Sequence, residues 1–535
     1  MKSKVLLIAP LFVLLVAACE RTMKRTEVRP NILFVISDDQ SFGHTSFGGS
    51  SFIQTPAFDR IASEGVYFTN CYATSPGCAP ARSAIVTGRY PWQNEQSGQH
   101  ASAWLNKYIS FIDRLAANGY RTGRTGKGVQ PFYYSGKAEE SHIRNEDAAG
   151  KAGNSARYQP GDPARPTEGV SKVDYFANFK SFMDQNDGNA PFFFWFGAYE
   201  PHRPYEKDAW KRTNKSPDSV TVPGYLPNDE VIRRDLLDYA VEIEWYDQHL
   251  QKMLDYLEKT GQLENTIVIV TSDNGMPFPR AKANAYEDGI HVPFAVRYPK
   301  SFPGGRVVED FIGFIDLAPT ILEVTGTSAG EMQPMTGRSL LEVLTSRGEG
   351  QVDADRVYVL SGRERHSSSR YRNYGFPQRA IRKGRYLYTW NVHPRRWPAG
   401  APQRYSQEDS TLLLGMHGLD SMGRYVAQSA YTDIDDCPSK AWLVENHQAP
   451  KVRPYFELAV GKRQEYELFD LEKDRYCLHN LAGMEQYNEI ESELHTILME
   501  ELKRTKDPRV VGPKPGVFDT YKRYSKMRSF PKPAQ

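Results

Sequence analysis

Asn31-Ile32-Leu33-Phe34-Val35-Ile36-Ser37-Asp38-Asp39 sets an unbroken apolar run directly before two aspartates. A strand with one wet face alternates apolar and polar residues. A continuous β-branched and aromatic run marks a strand buried on both faces, as in parallel sheets covered by helices. Phe192 to Phe196 and Thr266 to Val270 have the same texture, and polar residues follow each at once: Glu200, Pro201 and His202 after the first, Asp273 and Asn274 after the second. Ligands of open α/β sheets gather outside the carboxyl ends of the strands, so these three clusters are expected to converge. Helices fall between the strands. Thr55-Pro56 caps and starts one that carries Phe58, Ile61 and Ala62 inward, and a long one runs from about Glu230 to Glu258, ending near Gly261. The fold class this predicts is α/β, with a large central mixed, mostly parallel sheet sandwiched by helices.

The chain has 535 residues, and single cores seldom grow beyond ~300, so two domains are expected. After Leu344 the texture changes. A charged, glycine-containing stretch from Ser346 to Asp355 resembles a linker; Arg379 to Arg382 and Arg385 to Trp390 then flank Lys383-Gly384 as a hairpin, and Glu485 to Arg504 has helical periodicity. A catalytic domain over 30–345 and a smaller C-terminal α+β domain with an antiparallel sheet over 356–525 follow. Neither repeats nor low-complexity tracts occur. Lys plus Arg (67) nearly balances Asp plus Glu (65), which argues against a nucleic-acid partner and requires any anionic substrate to be recognised locally. Lys2 and Lys4 precede an apolar run, Val5 to Ala18, too short for a comfortable membrane span. With Val16-Ala17-Ala18-Cys19 it reads as a lipoprotein signal peptide over 1–19, followed by a tether over 20–29. The expected address is the periplasm, outer membrane or cell surface, with membrane contact only through a lipid on Cys19.

Cys78-Ala79-Pro80-Ala81-Arg82, followed by Thr87-Gly88, fits C-x-P-x-R-x-x-x-x-T-G at every fixed position. On these residues the chain resembles the type I sulfatases of the alkaline phosphatase superfamily. Further landmarks match in order: Asn31 to Asp39, Thr271 to Gly275, Tyr286 to Pro293, Ile315 to Thr320, and Tyr466 to Asp470 through Asn480-Leu481-Ala482. The resemblance covers nearly the whole mature chain. It implies that a formylglycine-generating or anaerobic sulfatase-maturating enzyme oxidises Cys78 to formylglycine (3-oxoalanine), which is hydrated to a geminal diol. One hydroxyl attacks sulfur and the substrate alcohol leaves; the second hydroxyl then expels sulfate and regenerates the aldehyde, a step closed to plain cysteine or serine. The same resemblance makes Asp38, Asp39, Asp273, Asn274 and the modified Cys78 the ligands of a calcium ion, with magnesium the alternative. An oxygen-only cage suits such hard cations better than zinc. Arg82 then fixes the nucleophile, Lys127 and Lys282 hold the sulfate, and His202 faces the bridging oxygen. A helix beginning near Pro80 would add partial positive charge under residue 78.

Two departures stand out. The family shows G-K-x-H where this chain reads Gly126-Lys127-Gly128-Val129, so the base for sulfate release is unassigned; His100 is a candidate from another loop, although a surface histidine is the simpler expectation. Ala81 replaces the usual serine, but cysteine, proline and arginine should suffice for modification. Of the five cysteines, Cys71 is expected to be buried and inert, and a Cys437 to Cys477 disulfide is left open. Asp273 to Pro279 and Glu200-Pro201-His202-Arg203 resemble the heparan N-sulfatase (sulfamidase) branch most closely. Arg363 and His366 are expected to bind substrate from the second domain. The expected function is a sulfatase acting on O- or N-sulfate of a sulfated oligo- or polysaccharide, a glycosaminoglycan or an algal glycan such as ulvan. The alternatives are a phosphodiester or phosphonate monoester hydrolase and a catalytically silent glycan-binding relative.

Overall fold

The computed structural model describes residues 29–533 except 186, 187, 189 and 419–429, so the expected leader and nearly all of the tether lie outside the described residues. Among those described, no helix is long and apolar enough to cross a membrane. The first domain contributes β1 (Asn31–Ser37), β2 (Val66–Phe68), β3 (Cys71–Tyr72), β4 (Arg121–Gly126), β5 (Phe192–Gly197), β6 (Thr266–Ser272), β7 (Phe294–Arg297), β8 (Arg306–Val308) and β9 (Ile312–Gly313). Seven of them form one sheet in the order β4-β5-β1-β6-β7-β2-β8. β4, β5, β1 and β6 run parallel, β7 is antiparallel to both β6 and β2, and β8 is parallel to β2. The sheet is therefore mixed and mostly parallel.

Both faces of the central strands are covered, which is why the runs do not alternate in polarity. Ile32, Phe34, Ile36, Phe193, Trp195, Ile267 and Ile269 enter one core, whereas Leu33, Val35, Phe192, Phe194, Phe196, Val268 and Val270 enter the other. α1 (Pro56–Glu64), α4 (Tyr175–Asp184) and α5 (Glu230–Lys259) pack on the second face; α2 (Cys78–Thr87) and α3 (Phe111–Ala117) pack on the first. Pro56 opens α1 as expected, but Thr55 does not cap it. Instead the buried Asp247 of α5 accepts the free amides of Ala57 and Phe58, each at 2.9 Å.

The second domain is an antiparallel sheet of β10 (Tyr358–Arg363), β11 (Gln378–Lys383), β12 (Tyr386–Asn391) and β13 (Tyr466–Asp470). The hairpin turn falls one residue later than read, on Gly384-Arg385, because Lys383 pairs with Tyr386 and Gly384 supplies the positive φ of 52°. Residues 346–355 are no free linker: Gly350 bridges to Val308, and Asp310 accepts from the amides of Val352 and Asp353. Leu494, Leu498 and Leu502 of the helix Asn488–Arg504 share one core with Ile381, Tyr388 and Ile85, so the two domains pack as a unit.

The open question of the Cys437 to Cys477 disulfide resolves against pairing, since Cys71, Cys78, Cys437 and Cys477 are all free and buried. Cys437 caps the helix Pro438–Glu445 with its sulfur near Arg203 and Asp235, whereas Cys477 lies by Glu287 and Arg280.

Buried ions clamp the second domain. Arg379 on β11 donates to Asp507 and, at 2.7 Å, to Glu364, and Arg509 donates to Glu364 at 2.6 Å; Arg379 and Asp507 are fully buried. Asp507→Ala leaves the buried Arg379 guanidinium with Glu364 as its one carboxylate partner and is expected to cost about 3 kcal/mol. The cost should appear as a lower urea midpoint at unchanged slope, and an unaltered midpoint would refute it.

Candidate active site

The ends of β1, β4, β5 and β6 and the start of α2 meet at one place. β1 delivers Asp38 and Asp39, β6 delivers Asp273 and Asn274, and Cys78 is the first residue of α2, with Gly77 at the N-cap. Asp38, Cys78 and Asp273 bring one ligand atom each within 4.8 Å of one another, all buried. Asp39 stands in the left-handed region at φ 77°, a conformation non-glycine residues hold only where surroundings enforce it. Its amide donates to Asp273 Oδ1 at 3.1 Å, and Asn274 Nδ2 donates to its Oδ1 at 2.8 Å.

Lys127 follows Gly126 at the end of β4. Gly126 has φ 73°, and a Cβ there would fall 2.0 Å from Gly197 O, so glycine alone lets β4 and β5 close on each other. Lys127 Nζ reaches Asp38 Oδ2 at 2.5 Å, and Lys282 Nζ reaches Asp39 Oδ2 at 2.6 Å. Burial is the largest influence and opposes both ammonium charges, but the summed attractions, led by Asp38 for Lys127 and by Asp39 and Asp435 for Lys282, prevail; both pKa values are raised. Arg82, fully buried, donates to Asp273 Oδ2 at 2.7 Å and to the carbonyls of Lys127 and Gly128 at 3.1 and 3.0 Å. It ties α2 to the ends of β4 and β6. Burial pushes the Cys78 thiol up to about 11, against the pull of Lys127.

His202 Nδ1 lies 2.6 Å from the carbonyl of Arg203, which only accepts, so that nitrogen carries the hydrogen and Nε2 is left 3.9 Å from Asp39 Oδ2. Cys78, Asp38, Lys127 and His202 line a cleft of about 500 Å³. His100 lines it too, which corrects the simpler expectation of a surface histidine. Its Nδ1 accepts from Arg523 at 3.3 Å, so its remaining hydrogen sits on Nε2. Burial, Arg523 and His366 hold its pKa well below the usual value. The ring is a neutral donor rather than a base. Val129, at the place of the family histidine, is fully buried in the core.

The second-domain residues sit differently. His366 lies against Gly77, where an added Cβ would fall 3.2 Å from its Nδ1, and its ring is 5.0 Å from that of His100. Arg363 donates to Asp433 Oδ2 at 2.6 Å and to Pro398 O at 2.8 Å. Both line a small neighbouring cavity of about 20 Å³, room for one water, and not the cleft at Cys78. Sequence reasoning missed Asp435. Its carboxylate accepts from Lys282 at 2.9 Å and lies with Asp39 and His202 in a second group of ligand atoms within 4.8 Å. The acid-rich run Asp433 to Asp436 is the only local hint, because the partner is 153 positions away.

The donors fit a hard divalent cation. Asp38 Oδ1 and Asn274 Oδ1 are buried with no hydrogen-bond partner among the described residues, and unpartnered buried oxygens are costly unless something else binds them. Four carboxylates (Asp38, Asp39, Asp273, Asp435) face three fixed cations (Arg82, Lys127, Lys282), an excess of one negative charge. A divalent cation reverses that sign, as an anionic ester requires.

Comparison with known proteins gives the family. The sulfatase family model matches residues 30–327, and the model described as "N-sulphoglucosamine sulphohydrolase, C-terminal" matches 281–379. The chain belongs to the sulfatase family and is a sulfuric ester hydrolase. It is similar to an ulvan-active sulfatase of Formosa agariphila, 25% identical over 74% of this chain and 68% of that one. It is also similar to the N-sulphoglucosamine sulphohydrolase of Homo sapiens, 27% identical over 59% of this chain and 66% of the relative. Among solved structures, one in complex with its substrate D-glucosamine-2-N,6-O-disulfate matches with TM-score 0.59 at 20% identity, covering 90% of this chain and 99% of that one. A phosphonate monoester hydrolase from Silicibacter pomeroyi matches with TM-score 0.62 at 16% identity, covering 90% and 96%. At such identities these structures speak to the fold.

Proposed function

We propose that this sulfatase removes sulfate from a sulfated saccharide, using formylglycine at position 78 and a calcium ion held by Asp38, Asp39, Asp273 and Asn274. The observation that carries the reading is the placement of Cys78 at the first turn of α2, against Asp38 and Asp273 and within reach of the Lys127 and Lys282 charges. Once formed, the modified residue supplies a hydrated aldehyde as oxygen nucleophile, and the cation supplies charge neutralisation.

The chain's own residues do the rest. Arg82 holds α2 in register with β4 and β6, so residue 78 is fixed before substrate arrives. Lys127 and Lys282 reach from the aspartates to the sulfate oxygens as charge grows on them. His202, oriented through Nδ1, presents Nε2 to the bridging oxygen and, when protonated, gives the leaving alcohol its proton. His100 donates from Nε2 to an oxygen in the cleft.

The relatives that act on ulvan and N-sulphoglucosamine support a saccharide substrate. A second reading, on phosphorus, is kept because a phosphonate monoester hydrolase shares the fold. Side-by-side kinetics of 4-nitrophenyl sulfate and 4-nitrophenyl phenylphosphonate decide between them. The sulfate is expected to be preferred by about 100-fold in kcat/KM; faster phosphonate hydrolysis would overturn the sulfatase reading.

A further inference from the structure

The wall of the cleft carries a carboxyl group that the chemistry above leaves idle. Glu242 of α5 is 2% exposed and lines the same cleft as Cys78 and Lys127, yet no described residue hydrogen-bonds to its carboxyl oxygens. A buried acid without a partner is costly, and such groups in native proteins call for an explanation. Its neighbour Glu200 shows the ordinary solution: Oε1 accepts from the Ser171 amide at 2.7 Å and Oε2 from the Tyr175 hydroxyl at 2.7 Å. Glu242 has no such anchors. The chain even makes room for it, since a Cβ on Gly169 would fall 2.9 Å from Glu242 Oε1.

The same cleft is lined by Tyr199, 37% exposed, with its backbone amide fixed by the Tyr175 hydroxyl at 3.1 Å. An exposed aromatic and an unspent carboxyl lining one cleft match the two sides of a pyranose ring: C–H groups that pack on the aromatic and hydroxyls or an amine that bond to the acid.

We infer that Tyr199 and Glu242 form a sugar subsite, which holds a hydroxyl or free amine of the ring carrying the scissile sulfate. This rests on the sulfatase reading of the same cleft. Burial, with Glu200 and Asp238 nearby, drives the Glu242 carboxyl well above the ordinary range. A donor from the sugar relieves that cost, so the subsite selects ligands that bring one. A cleft of about 500 Å³ is large enough for a monosaccharide.

The test compares a panel of monosulfated hexoses and hexosamines with 4-nitrophenyl sulfate, which has no hydroxyl to offer. For the best sugar, the kcat/KM ratio of sugar to aryl sulfate is expected to fall at least about 10-fold in Glu242→Leu and in Tyr199→Ala. Glu242→Leu is also expected to raise Tm, since it removes a buried group that the fold leaves unpaired. If both variants shift the two substrates by the same factor, or neither substrate at all, the subsite is overturned. Wild-type protein that cleaves the aryl sulfate but no sugar overturns the subsite while leaving the sulfatase reading intact. Should no sulfate be released from any probe, the sulfatase reading fails. Calorimetry with the same sulfated sugars then decides the subsite: wild-type binding that both variants lose supports it, and absent wild-type binding refutes it.

Discussion

Cys78→Ala is expected to lower sulfate release at least about 10⁴-fold, the scale of losing a covalent nucleophile. The side chain is 2% exposed and small, so its truncation should cost little stability, and an unchanged Tm separates a chemical loss from misfolding. Cys78→Ser sharpens the result. Serine keeps one hydroxyl in place but lacks the second one that expels sulfate, so the variant is expected to release at most one equivalent of alcohol and then stop. The unmodified enzyme is expected to be as inert as the alanine variant, because a thiol offers no second hydroxyl to expel sulfate. Mass spectrometry of the peptide containing residue 78, from protein made with and without a maturating enzyme, should find an aldehyde in the active preparation and cysteine in the inert one. Full activity with unmodified cysteine would sink the formylglycine reading.

The parts of this site legible in the sequence are those encoded by runs and short motifs. Ile32 to Ile36, Phe192 to Phe196 and Thr266 to Val270 announce strands buried on both faces, and strand ends in parallel sheets converge, so Asp38, Asp39, His202, Asp273 and Asn274 could be placed together before any coordinates. Lys127, Arg82 and Lys282 needed the family resemblance to be registered, and the structure brings all three onto the aspartates. What was illegible depends on side chains finding partners far along the chain. Arg363 donates to Asp433, 70 positions away, and Asp435 meets Lys282 across 153. Glu242 lies mid-helix among charged residues, where a solvated face is the default expectation. The cap of α1 follows the same logic: Thr55 has the right identity and place, but Asp247 on α5 takes the amides instead. The leader read from residues 1–19 lies outside the described residues.

Stripping calcium is expected to lower activity at least about 10³-fold, with restoration by calcium more complete than by magnesium. The argument starts from charge. Without a divalent cation, four carboxylates outnumber three fixed basic groups, and an anionic ester must approach a site of its own sign. It continues with geometry. Asp38 Oδ1 and Asn274 Oδ1 are buried with no hydrogen-bond partner among the described residues, Arg82 reaching the former only at 3.8 Å, while Lys127 and Arg82 already occupy Asp38 Oδ2 and Asp273 Oδ2. Calcium accepts irregular sets of oxygen ligands at longer distances, whereas magnesium demands a near-octahedral set at short ones, so a cage already half spent on lysine and arginine favours the larger ion. Stability provides a readout independent of turnover. A cation that binds only the folded chain raises Tm with its concentration, and about 2.7 kcal/mol of stabilisation is expected at a hundredfold excess over Kd. Asn274→Leu removes one of the two free oxygens and should blunt that calcium-dependent rise along with activity. A Tm indifferent to calcium in the wild-type protein would refute the cation site, and a full response in Asn274→Leu would remove Asn274 from it.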